Sequence, residues 1–158
     1  MKNIAKTAIV GTGAFMVSLF FASIAFSHCE IPCGIYDDKA RIALMQEHSR
    51  TIEKSMDTIA KLKNEGAENK NQLVRWINNK ELHADKIQKI AYQYFMTQRI
   101  KPVAKEKSEE YKSYITQLTA MHEVLISAMK CKQTVDTDNV EKLRKAIKKF
   151  SHDYFSKK

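Results

Sequence analysis

The sequence predicts an all-α fold, an up-down-up-down four-helix bundle preceded by a short hook that carries two of the three cysteines. Three observations predict it. Apolar residues recur at alternating three- and four-residue steps through four successive segments, the spacing of an amphipathic helix. The connections between these segments are short and polar, which makes consecutive helices antiparallel neighbours. No segment alternates with the two-residue period of a strand, and no glycine-rich phosphate loop interrupts the pattern.

The first 27 residues differ in character from the rest. Lys2 and Lys6 form a positive start, residues 8–26 carry no charge, and Ala25-Phe26-Ser27 ends the run with small residues where a signal-peptidase site needs them. Residues 1–27 are therefore expected to be a leader, cleaved between Ser27 and His28 by signal peptidase or a maturation protease. The competing reading is an uncleaved anchor, since roughly 20 apolar residues span a bilayer. Gly11 and Gly13 weaken such a helix. Cleavage would leave a hook, residues 28–36, and a bundle, residues 37–158, with no stable membrane association. An export signal implies a periplasmic or extracellular destination.

The first helix is expected over about 39–63, with Ile42, Met45, Ser49, Ile52, Met56 and Ile59 on one face. Asp37 or Asp38 can cap its start, and Gly66 can close its end in a left-handed conformation. The second helix, about 71–98, carries Leu73, Trp76, Ile77, His83, Ala84, Ile87, Ala91 and Tyr94, and Pro102 marks the break after it. The third, about 107–130, has Tyr111, Tyr114, Ile115, Leu118, Met121, Leu125 and Ala128 on its face. Asp138 and Glu141 resemble a capping box opening the fourth, whose stripe is Val140, Leu143, Ile147, Phe150 and Tyr154.

Charge narrows the function classes. The chain has a formal net charge of +9, and loss of the two leader lysines gives +9 − 2 = +7. Basic residues alternate with acids along helical faces and do not gather with aromatics, so nucleic acid is not an expected partner. A diffuse positive field suits attraction of a small anion. Cys131 reads as a helix-end residue. His48, His83, His122 and His152 lack the carboxylate–histidine spacing of a bundle metal site, and no nucleophile–base pair or triad is recognisable.

The chemistry therefore falls to the hook, His28-Cys29-Glu30-Ile31-Pro32-Cys33-Gly34-Ile35-Tyr36. Once freed, the His28 amine, the Cys29 amide nitrogen and the Cys29 thiolate can chelate one metal through two adjoining five-membered rings, with Cys33 as fourth donor. Two nitrogens and two sulfurs in a plane suit Ni(II) or Cu(II) and not tetrahedral zinc. The His28 imidazole can add an axial ligand, as a Ni(II)/Ni(III) couple would use. Binding displaces protons, so loading should weaken at low pH. Ile31-Pro32 favours a tight turn, with a cis bond as one way to make it, and Gly34 permits close approach or positive φ. Tyr36 can set a phenol near the open metal face or pack the hook onto the bundle. A nickel or copper carrier, and a helical adaptor with a Cys29–Cys33 disulfide, use the same residues without catalysis.

The pattern His28-Cys29-x-x-Pro32-Cys33-Gly34-x-Tyr36 resembles the signature of nickel superoxide dismutases. Gln72-Leu73-x-Arg75-Trp76-Ile77-Asn78-x-Lys80-Glu81-x-His83 and Tyr94-Phe95-x-x-Gln98-x-Ile100-Lys101-Pro102 are similar to the second-helix region of bacterial and cyanobacterial members. The resemblance implies a superoxide-dismutating enzyme with one nickel ion per subunit, assembled as a homohexamer in which each hook presses on a neighbour. It implies nickel ligation by His28 through amine and imidazole, Cys29 through amide and sulfur, and Cys33 through sulfur. It makes Tyr36 the substrate-gating tyrosine and sets Arg75 against an arginine that supports the axial histidine. Two departures stand out. Ala43 lies where some members place a glutamate to hydrogen-bond the axial imidazole. The apolar leader differs from the short polar one that a dedicated protease removes in cytoplasmic members, which leaves the cytoplasm as the alternative location.

Overall fold

The computed structural model describes residues 30–156; the expected leader, Ser27, His28 and Cys29 lie outside them. The described residues form four α-helices and no strand: α1 (Asp38–Leu62), α2 (Lys70–Lys89), α3 (Ser108–Gln133) and α4 (Asp138–Phe155). A 3-10 turn, Ala67–Asn69, precedes α2, and a π-helical segment, Ile90–Arg99, continues it. The helices pack most closely as the pairs α1–α2 and α3–α4, and α2–α3 and α1–α4 close the ring. This is the expected bundle. No helix among the described residues is long and apolar enough to cross a membrane.

In α1 all six expected stripe positions are buried, and Asp37 is the N-cap, accepting from the Ala40 N–H at 2.9 Å. Its C-terminus corrects an expectation. Gly66 does not take a left-handed conformation. The final turn closes through 3-10-type bonds, Asn64 N–H to Lys61 C=O and Glu65 N–H to Leu62 C=O, and the Gly66 carbonyl accepts from Asn69 to open the next turn.

The expected second helix is continuous, but its last ten residues are π-helical. Its stripe is also shorter than expected. Ala84, Ile87, Ala91, Tyr94 and Phe95 are buried, whereas Ile77 is exposed, as is Val74 beside it. The reason is the length of α3. The buried ammonium of Lys80 donates to the Cys131 carbonyl at 2.8 Å and to that of Lys132, so Lys80 stands beside the end of α3. The turns of α2 before Lys80 run past that end and lose its cover.

In α3 the deepest positions are Met121, Val124, Ala128 and Cys131, while Ile115 remains exposed. The α4 stripe is buried as expected. The capping box is not formed: Thr137 occupies the N-cap with no side-chain bond, and Asp138 already lies inside the helix. Asp136 accepts from the Asp138 N–H at 3.0 Å, so the preceding turn satisfies that donor.

Aromatic rings fill the end of the core nearest the hook. Phe95 stands edge-on to Phe150 at 4.9 Å and to Tyr154 at 5.4 Å, and Tyr94 packs on Phe95 at 5.0 Å. Burying one such ring contributes about 2–3 kcal/mol, so the π segment and α4 meet strongly at this level.

Candidate metal centre

The described part of the hook starts at Glu30, whose carboxylate accepts a hydrogen bond from the Gln93 side-chain amide on the π segment. The chain turns at a cis Ile31–Pro32 peptide and reaches Cys33, which is exposed. Gly34 follows at φ +82°, a conformation that a Cβ would strain even though nothing lies within 4 Å of that position. The sequence-based expectations for Pro32 and Gly34 are met.

Tyr36 lies against the bundle. Its ring meets Tyr94 edge-on at 5.9 Å, and the guanidinium carbon of Arg99 lies 4.2 Å from its centre. Asp38 organises the layer beneath. It accepts from Arg99 Nε at 2.8 Å and Nη2 at 3.0 Å, from the Tyr94 hydroxyl at 2.8 Å and from the Tyr154 hydroxyl at 2.9 Å. Burial, reinforced by the Asp38 carboxylate, raises the Tyr94 phenol above its ordinary range and keeps it a proton-bearing donor. The hydrogen bond to Asp38 likewise holds Arg99 firmly protonated.

A cleft of about 620 Å³ opens beside this layer, lined among others by Glu30, Pro32, Arg41, Lys89, Gln93 and Tyr94. Arg41 lies over the Tyr94 ring at 5.1 Å, and its buried Nε has no hydrogen-bond partner. The wall against the hook therefore carries positive charge.

Elsewhere among the described residues no three metal-ligating side chains converge. His48 and His83 pair across α1 and α2 with Nδ1 atoms 3.1 Å apart, His122 is exposed, and exposed His152 contacts Asp153. Cys131 is buried as well as near a helix end, and burial pushes its thiol up to about 11, leaving it unreactive. Arg75 is exposed and lies eighteen residues before Gln93 on the same helical rod, roughly 25 Å along it. It does not reach the described hook residues. Ala43 is exposed on α1 and offers no hydrogen bond.

Sequence reading missed Gln93 and Arg99 as hook partners and Asp38 as the carboxylate that holds Arg99. Tyr94 and Arg99 are five residues apart, which in an α-helix places them roughly 140° apart around the axis. The π-helical winding brings both onto Asp38, and 3.6-residue periodicity gives no sign of that.

The donor chemistry of the hook fits nickel. Cys33 is presented at the surface on a tight turn, and the two residues before Glu30, which lie outside the described residues, add an imidazole, an amide and a second thiol to the hook. Residues 23–158 match the family model described as nickel-containing superoxide dismutase. Comparison with curated proteins and with solved structures found no match.

Proposed function

Because the chain belongs to the nickel-containing superoxide dismutase family, an oxidoreductase family that acts on superoxide and uses nickel, we propose that its activity resides in a hook beginning at a freed His28. The observation that carries the assignment is the family match across residues 23–158, which takes in the whole hook and bundle.

His28 would hold the metal through its amine and imidazole, Cys29 through its amide nitrogen and sulfur, and Cys33 through its sulfur. Nickel bound there supplies the one-electron couple by which superoxide is converted to dioxygen and hydrogen peroxide. The protein's own groups do the rest. Arg41 and Lys89 give the neighbouring cleft a positive wall that attracts a small anion. Tyr36, pinned by Arg99 and Tyr94, holds its phenol beside the hook, where it orders substrate and water. Tyr94 keeps its proton, donates it in a hydrogen bond to the Asp38 carboxylate, and acts as a fixed wall.

Residues 1–27 are removed by signal peptidase or a maturation protease, and the mature protein works outside the cytoplasm; the uncharged run and the small residues before His28 support this reading. The assembly is a homohexamer. Its support is exposed apolar surface in two places, Ile31 and Ile35 on the hook and Val74, Ile77 and Leu82 on α2. Arg75, on that same exposed part of α2, would support the His28 imidazole electrostatically.

Native mass spectrometry of protein from the producing cell, followed by a superoxide-consumption assay, tests the proposal. The expected result is a hexamer of chains starting at His28, each with one nickel, that dismutates superoxide. Chains that keep the leader, or mature chains holding a Cys29–Cys33 disulfide and no nickel, would overturn it.

A further inference from the structure

The described hook is held at two points, and Cys33 lies midway between them. Three residues before it, Glu30 accepts from Gln93; three residues after it, Tyr36 lies on the guanidinium of Arg99. Both anchors come from the π segment. Its widened winding appears in bonds that span five residues: Ile100 N–H to Phe95 C=O at 2.8 Å, Thr97 Oγ1 to Tyr92 C=O at 2.8 Å and Gln98 Nε2 to Gln93 C=O at 3.1 Å.

We propose that Arg99 is a positioning residue for the hook, gripped by Asp38 so that its planar face fixes the Tyr36 ring, and that the π-helical turn exists to bring it there. Nε and Nη2, along one edge of the guanidinium, donate to Asp38, which leaves the guanidinium face available for stacking. Tyr94 and Tyr154 donate to the same carboxylate from the π segment and α4, so the plane of Arg99 is set by three elements of the bundle. Tyr36 is itself 38% exposed, and Arg99 covers one face while Tyr94 meets it edge-on. A displacement of Arg99 frees the segment that follows Cys33. The inference deepens the nickel dismutase reading and rests on it for its catalytic consequence.

The test uses mature, nickel-loaded protein with ring-¹³C-labelled tyrosine, compared as wild type, Arg99→Met and Arg99→Lys. In Arg99→Met the Tyr36 ring resonances should move to the averaged positions of a mobile tyrosine, and kcat/KM for superoxide should fall about tenfold with nickel content unchanged. Arg99→Lys should recover only part of both, because an ammonium keeps the charge without the planar face. If removing the cation beside the buried Asp38 carboxylate keeps the variant from folding, the pair Asp38→Asn/Arg99→Met removes both charges and takes its place. Unchanged Tyr36 resonances, or unchanged kcat/KM, in either variant would overturn the proposal. Wild-type protein that binds one nickel per chain and does not dismutate would instead overturn the functional reading, and the Tyr36 resonances would still decide the role of Arg99.

Discussion

Lys80 is only 3% exposed, and its ammonium ends 2.8 Å from the Cys131 carbonyl oxygen and also reaches that of Lys132, so a side chain from the middle of α2 caps the C-terminus of α3. The last carbonyls of a helix have no partners within it, and a cation there also opposes the helix dipole. Glu81, 3.0 Å away, and the Lys132–Asp85 pair at 2.7 Å complete a charge cluster on the same joint. Lys80→Ala should destabilise the protein by about 2–3 kcal/mol, since it strands carbonyls and opens a void. Lys80→Met should cost less by filling the space. Urea titration of the two variants checks the order, and equal stability of wild type and Lys80→Ala would remove the capping role.

His48 and His83 give the fold a pH dependence of known sign. Burial lowers both imidazoles below their ordinary value, and for each Lys86 adds to the effect; His83 further lowers His48, while Glu47 opposes. A histidine with a depressed folded pKa favours the folded state while neutral. Its contribution is therefore full above the unfolded value of about 6.5 and declines as pH falls through it toward the folded pKa. Apparent stability should drop on acidification through this window, and His48→Gln should flatten the drop. An unchanged slope in that variant would place the sensitivity elsewhere.

The amine of His28 can serve as a donor only when it is a free N-terminus. One additional residue before His28 converts it to an amide, and activity should fall to background even though the bundle melts at the same temperature. Full activity in the extended protein would defeat the ligand assignment. His28→Gln should still bind nickel through the remaining donors and lose turnover, which metal analysis alongside the activity assay distinguishes.

Phe95 joins the π segment to α4 through Phe150 and Tyr154. Phe95→Ala should cost about 3–5 kcal/mol by cavity formation. Because the same segment carries Gln93 and Arg99, the variant should also weaken the hook's attachment, seen as faster proteolysis around residues 30–36 under conditions where the bundle remains folded. A fall in global stability with no change at the hook would separate the core from the site.

Amphipathic spacing made the bundle legible in the chain: every expected stripe residue of α1 and α4 is buried, because both helices have neighbours along their length. The nickel cofactor was legible as well, from residue types at fixed covalent spacing that need no knowledge of the fold, and the family match bears it out. Other features depended on which elements end beside which. Val74 and Ile77 are apolar yet uncovered, because α3 ends opposite Lys80. Asp38, the Tyr94–Arg99 pair and Tyr154 lie far apart in the chain, and Tyr94 and Arg99 belong on different faces of an ordinary α-helix. Only the π-helical winding, with α4 packed beside it, collects them on one carboxylate under Tyr36, because hydrogen-bond geometry within a helix is chosen by the packing around it and not by side-chain period alone.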